Sequence, residues 1–213
     1  MKFFIDTANI EEIKSAWDLG IINGVTTNPS LMSQVGGNQK DIIKMIAQIV
    51  DGPISAEVIS TDYDGMIKEG KELASIHKNV VIKLPLTIDG IKACHTFKTL
   101  KMATNLTLCF SANQALLAAK AGASYISPFI GRLDDNGHEG MDLISQIKTI
   151  YKHYDFKTEI LVASIRHPEH VRQSALIGAD VATLPWKVLK SLYQHPLTEI
   201  GLKQFLADHA KSK

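Results

Sequence analysis

The sequence predicts an α/β fold, a single (β/α)₈ TIM barrel with an extra C-terminal helix. Eight short runs rich in β-branched residues alternate with longer segments of helical period, at about one unit every 20–30 residues. The 213 residues suit one barrel, a fold that commonly takes roughly 200–250. No GxGxxG follows the first strand, which runs instead into Asp6-Thr7-Ala8-Asn9 and so argues against a doubly wound open sheet. Strands separated by helices pair in parallel through right-handed crossovers, and eight such units can close with no free edge.

Each element has a local reason. Phe3, Phe4 and Ile5 make the first strand, 3–6, and the polar stretch after it can cap a helix over 10–19. The second strand, 25–28, stops at Pro29, where a first helical turn can begin; the helix of that unit is expected over 39–50. Strand 54–59 precedes helix 65–76, and the apolar strand 80–84 precedes helix 91–100. The fifth unit pairs strand 105–109 with helix 112–121, closed by Gly122 where a left-handed residue is commonly needed. Strand 125–129 leads to helix 142–153, and strand 159–164 to helix 168–177, which opens on Pro168 and ends at Gly178. Strand 181–184 and helix 186–193 complete the barrel, with Trp186 read as core. An amphipathic tail over about 198–210 adds the last helix. The connection KMATNLT lacks a glycine, which predicts a tighter or altered loop on the bottom face. With no linker or low-complexity tract, residues 1–213 read as one catalytic domain.

Charge is balanced, 23 Lys+Arg against 22 Asp+Glu. Such a balance argues against broad nucleic-acid or anionic-membrane binding, yet leaves room for a small anionic substrate held by a few local cations. Cys94 and Cys109 lie in apolar surroundings without CxxC spacing and read as reduced core thiols. Acid arrives early, at Asp6, so the amino terminus resembles no signal or transit segment, and no run approaches a membrane span; the expected compartment is the cytoplasm.

In a barrel, functional side chains gather at the carboxyl ends of strands. Lys83 interrupts VVIKLPL, flanked by Ile82 and Leu84. It either snorkels outward along a helix or sits desolvated in the barrel mouth, where loss of water favours a neutral, nucleophilic amine suited to imine formation. Asp6 ends the first strand and Glu57 sits in the third; a helix cap and a salt bridge are their structural alternatives. With Lys83 they can divide proton transfers around an imine. Asn105 and Thr107, two residues apart, share a strand face, and Asn28 ends the second strand. Ser127 and Phe129 also share a face, with Arg132 just beyond. Arg132, Ser164 and Arg166 suit a phosphomonoester, with surface salt bridges as the alternative. His167 and His170 are spaced as a metal pair, but no third ligand is evident, so neither metal nor cofactor is expected.

These segments resemble the transaldolase family: DTAN at 6–9, GVTTNPSL at 24–31, SAEV at 55–58, VVIKLP at 80–85, NLTLCFS at 105–111, ISPFIGR at 126–132 and ASIRHP at 163–168. The resemblance covers nearly the whole chain and is nearest to the short bacterial type. It implies Lys83 as the Schiff-base lysine, Asp6 as the base for the C4 hydroxyl, and Glu57 with Thr107 as holders of a proton-shuttling water. It implies Asn28, Asn105, Ser127 and Phe129 around the dihydroxyacetone fragment, and Arg132, Ser164 and Arg166 on the substrate phosphate. The implied reaction moves a dihydroxyacetone unit from sedoheptulose 7-phosphate to glyceraldehyde 3-phosphate, without a cofactor, in the pentose phosphate pathway. A homo-oligomer, by resemblance a decamer, is implied as well. The nearby alternative is a fructose-6-phosphate aldolase, which places Gln at Glu57 and Tyr at Phe129. A phosphosugar isomerase or epimerase on the same barrel is the alternative from another class.

Overall fold

The computed structural model describes residues 1–212. Its strands are β1 (Lys2–Asp6), β2 (Gly24–Thr26), β3 (Ile54–Glu57), β4 (Val80–Pro85), β5 (Thr104–Cys109), β6 (Tyr125–Pro128), β7 (Glu159–Val162) and β8 (Val181–Leu184). All pair in parallel in sequence order, and β8 closes back onto β1. The helices are α1 (Ile10–Trp17), α2 (Pro29–Val35), α3 (Gln39–Ile49), α4 (Tyr63–Ala74), α5 (Ile88–Thr99) and α6 (Ala112–Ala121). They continue as α7 (Ile130–Asp134), α8 (Gly140–His153), α9 (Pro168–Ile177), α10 (Trp186–Leu192) and α11 (Pro196–Lys211). The architecture is a (β/α)₈ barrel with a C-terminal helix.

Strand parity sorts the side chains into two cores. Phe4, Val81, Tyr125, Leu161 and Val181 point into the barrel, while Ile5, Ile82, Leu84 and Ile126 point outward beneath the helices. Phe4 and Tyr125 meet edge to face at 6.0 Å and fill the lower interior. Gly24 makes room for this plug, because a Cβ there would stand 2.9 Å from the Phe4 ring and 2.6 Å from the Pro53 carbonyl. Two residues above four of these five plug residues the same inward face carries polar groups: Asp6 above Phe4, Lys83 above Val81, Ser127 above Tyr125 and Thr183 above Val181, while Ala163 stands above Leu161. The apolar floor and the polar mouth are thus one alternation.

The helices of the first five units are closed at their starts by side-chain caps. Asn9, Asn28, Asn38, Asp62, Thr87 and Ser111 each accept a backbone N–H from the first turn of the helix they precede. Because Asn9 caps α1, Asp6 is left out of that task.

Several boundaries differ from the sequence reading. β2, β3 and β7 end at Thr26, Glu57 and Val162, so Asn28 and Ser164 lie beyond their strands. The helical turn expected at Pro29 is a short separate helix, α2, while α7 was not expected; five residues show too little periodicity to announce a helix. The glycine-free connection after α5 is not an altered loop. Lys101 takes φ 58°, its N–H donates to the Lys98 carbonyl and Met102 N–H donates to Phe97, so a lysine completes the Schellman closure usually given to glycine. Gly122 and Gly178 close α6 and α9 at φ 86° and 83°. α11 is not amphipathic: Leu197, Ile200, Leu202, Phe205 and Leu206 are exposed and spread over roughly two-thirds of its circumference at 100° per residue. Trp186 is only partly buried. Among the described residues no helix is long and apolar enough to cross a membrane.

Candidate active site

Lys83 points inward and is 4% exposed, which decides between its two possible orientations. Its Nζ lies 2.9 Å from Glu57 Oε2 and donates to the Thr27 carbonyl at 3.0 Å. Register explains the meeting, since Glu57 is paired with Lys83 across β3 and β4, and Lys83 with Asn105 across β4 and β5.

Asp6 faces the same interior from β1. Burial raises its carboxyl above the ordinary value, while the Lys83 ammonium and a hydrogen bond from Thr26 pull it part of the way back. Thr26 Oγ1 donates to Asp6 Oδ1 at 2.7 Å and lies 2.5 Å from Thr183 Oγ1. A carboxylate only accepts, so Thr26 gives its proton to Asp6 and receives one from Thr183. That chain occupies Oδ1 and leaves Oδ2 for another partner.

Asn105 is fully buried; its Nδ2 donates to Ser55 Oγ at 3.2 Å and its Oδ1 accepts from Ser127 Oγ at 2.7 Å. Thr107 is fully buried too, and its hydroxyl is the buried side-chain polar atom without a partner among the described residues. Beside it Leu108 takes φ 60° where the β5–β6 register shifts, a bulge in an otherwise regular strand. A buried hydroxyl with no partner carries a desolvation cost, which marks Thr107 as a group awaiting one.

A cavity of about 190 Å³ opens at the carboxyl ends of the strands. Asp6, Asn28, Lys83, Ser127, Phe129, Arg132, Ser164 and Arg166 all line it. Asn28 keeps its Oδ1 on the Leu31 N–H as the α2 cap, which fixes the amide at the rim. The Arg132 guanidinium rests 5.1 Å above the Phe129 ring. Ser164 is held at φ 60°, and Arg166 forms an exposed pair with Asp135 at 2.8 Å. Gly131 is required where α7 meets β7, since a Cβ would fall 2.2 Å from the Ser164 carbonyl. Glu57, Asn105 and Thr107 do not line this cavity; Glu57 touches Lys83 and Asn105 touches Ser127, which do.

Thr26 and Thr183 also line the cavity and were missed from the sequence. The signal was there in strand parity, two residues above Gly24 and Val181. Nothing in the residue types themselves, threonines in β-strands, set them apart. The His167–His170 pair holds its own ring contact at 3.8 Å, with His170 Nε2 3.1 Å from Asp134. No group of three metal-ligand residues forms among the described residues. Cys94 and Cys109 are free and buried, and burial pushes the Cys109 thiol up to about 12.

Fold and site together define a class, a (β/α)₈ barrel with a buried lysine set between two carboxylates at its mouth. The family description Transaldolase/Fructose-6-phosphate aldolase matches residues 3–213, and the chain belongs to that family. Proteins named probable transaldolase from Carboxydothermus hydrogenoformans and Aquifex aeolicus are each 58% identical, over 208 and 211 residues. These matches span 98% and 99% of this chain and 97% of each relative. A probable transaldolase from Mesorhizobium japonicum is 59% identical over 213 residues, covering 100% of this chain and 98% of its own. Thiamine phosphate pyrophosphorylase from Pyrococcus furiosus superposes with a TM-score of 0.64 over 90% of this chain and 93% of that one, at 14% identity, a likeness of fold alone.

Proposed function

We propose that residues 1–213 act as one catalytic domain, a cofactor-free transaldolase that moves a dihydroxyacetone unit between sugar phosphates through a Schiff base on Lys83. The observation that carries this reading is the buried amine 2.9 Å from Glu57 and facing Asp6. Glu57 is placed to take the ammonium proton. The freed Nζ attacks C2 of the ketose phosphate, and the carbinolamine loses its hydroxyl as water to give the protonated imine. Glu57 and the unpartnered Thr107 hydroxyl suit the water that carries protons in this step. Asp6 then takes the C4 hydroxyl proton through its free oxygen. The C3–C4 bond breaks, its electron pair passes into the imine, and an aldose phosphate departs. The enamine left on Lys83 attacks the carbonyl carbon of the acceptor aldose phosphate, Asp6 returns its proton to the new alkoxide, and water releases the ketose. Asn28 and the Asn105–Ser127 pair suit the hydroxyls of the three-carbon unit, and Arg132, Ser164 and Arg166 suit the phosphate.

With sedoheptulose 7-phosphate and glyceraldehyde 3-phosphate the products are erythrose 4-phosphate and fructose 6-phosphate, the pentose phosphate exchange. Phe129 favours transfer over release of free dihydroxyacetone, because it offers no hydroxyl to hold the proton-shuttling water and Arg132 covers its ring. A cytoplasmic homo-oligomer completes the reading. Incubation with fructose 6-phosphate and borohydride is expected to leave a reduced three-carbon adduct on Lys83, absent from Lys83→Ala. Turnover without any adduct points instead to an isomerase or epimerase. Free dihydroxyacetone as the main product points to an aldolase.

A further inference from the structure

We infer that His170 is a positioning residue for the phosphate clamp, a buried latch that fixes Arg132 on α7 relative to Ser164 and Arg166 after β7. The inference rests on the proposed phosphate role of those three residues. Its ground is a set of contacts that the catalytic reading leaves unused. His170 is 6% exposed in the first turn of α9. Its Nδ1 accepts the Arg166 N–H at 3.3 Å, and its Nε2 lies 3.1 Å from Asp134 Oδ2. Asp134 Oδ1 in turn accepts the Gly140 N–H at 2.9 Å, which ties the latch to the start of α8.

The need for such a latch follows from α7 itself. It has five residues and no side-chain N-cap, too short to hold a direction on its own helical bonds. Its first turn is fastened to the other half of the clamp by Ile130 N–H on the Ala163 carbonyl and Gly131 N–H on the Ser164 carbonyl, both at 3.1 Å. Its far end is fastened through Asp134 to His170. Arg132 lies between the two fastenings. The remaining tie, Asp135 to Arg166, is exposed on both sides and adds little. Burial first, then repulsion from its neighbours His167 and Arg166, holds the His170 imidazolium below its ordinary value, against an opposing pull from Asp134. The neutral ring then has Nδ1 free to accept and its proton on Nε2, toward Asp134.

A residue that only capped α9 would lower stability without selecting among substrates. The test therefore compares the wild type with His170→Asn, which keeps an acceptor near the Arg166 amide but cannot reach Asp134, and with Asp134→Ala on the exposed side of the contact. Each is assayed for KM and kcat with fructose 6-phosphate and for inhibition by inorganic phosphate. Borohydride trapping of unphosphorylated dihydroxyacetone on Lys83 is the control. Both variants are expected to raise KM and the phosphate inhibition constant together, by roughly 5- to 20-fold, with kcat within about twofold and dihydroxyacetone trapping unchanged. An Asp134→Ala enzyme with unaltered KM and phosphate inhibition overturns the inference, as does an equal loss of kcat and of trapping in both variants. Should the wild type itself form no adduct with fructose 6-phosphate, the Schiff-base reading fails, and that result is separate from any effect of His170.

Discussion

The chemistry of Asp6 turns on one hydroxyl. Desolvation raises its carboxyl, and the Thr26 hydrogen bond opposes that rise together with Lys83. In its proposed role as base for carbon–carbon cleavage Asp6 must be ionised, so activity is expected to fall as pH drops through its folded-state value. Thr26→Val removes a lowering influence, and the acid limb of the kcat/KM profile is expected to move to higher pH, whereas Thr26→Ser holds it in place. A limb at the same pH in Thr26→Val removes Asp6 from that role. The same residue links stability to pH. Folding raises Asp6 above 3.8, so its contribution to stability is full below that value and is lost as pH rises through the folded-state value. Asp6→Asn does not titrate. Its Tm relative to wild type is therefore expected to be higher at about pH 7.5 than at about pH 5, and a difference that shrinks over this interval contradicts the raised carboxyl. Residue types alone were enough to pick out Lys83, Asp6 and Glu57 as polar groups on apolar strands. Their orientation was not legible, because it depends on which parity faces the plug of Phe4 and Tyr125, a fact of the closed barrel.

Strand and helix boundaries carry the next level of control. Asn28 reads as the end of a strand, but its side chain caps α2, and this role is what fixes it at the rim. α7 escaped notice for its shortness, although Gly131 within it was the visible trace of a close backbone approach. The connection after α5 has a measurable consequence. Lys101 holds a left-handed conformation in a complete Schellman closure, which costs an L-residue about 1–2 kcal/mol. Glycine removes that strain but loses more entropy on folding, so Lys101→Gly is expected to stabilise by about 0.5–1 kcal/mol, or roughly 1–4 °C in Tm. The loop precedes β5 on the face opposite the cavity, so kcat and KM are expected to stay at wild-type values. A lower Tm, or a change in kinetics, shows that Lys101 makes a contact which outweighs its backbone strain.

The barrel completes itself without its last helix. α11 has sixteen residues and none is buried; Leu197, Ile200 and Phe205 are 69%, 60% and 74% exposed. An isolated helix of that length is marginal in water, and one with apolar residues around most of its girth is normally covered on more than one side. The occupant we propose is a second copy of the chain, because the barrel's own outer surface leaves further apolar residues uncovered, among them Ile59, Ile88 and Leu176. Closed symmetric assembly is the usual way identical subunits cover such surfaces. A chain ending at His195 is therefore expected to keep the far-ultraviolet signature of the barrel and its borohydride adduct, since α11 contributes nothing to the core or the cavity. Light scattering is expected to show fewer subunits than the full chain assembles, and Tm is expected to fall and to depend less on protein concentration. A full-length chain that scatters as a monomer sinks the proposal, as does a truncated chain that keeps the full-length chain's number of subunits. In the first case the exposed apolar girth of α11 requires a different partner; in the second the contacts between copies lie wholly on the barrel.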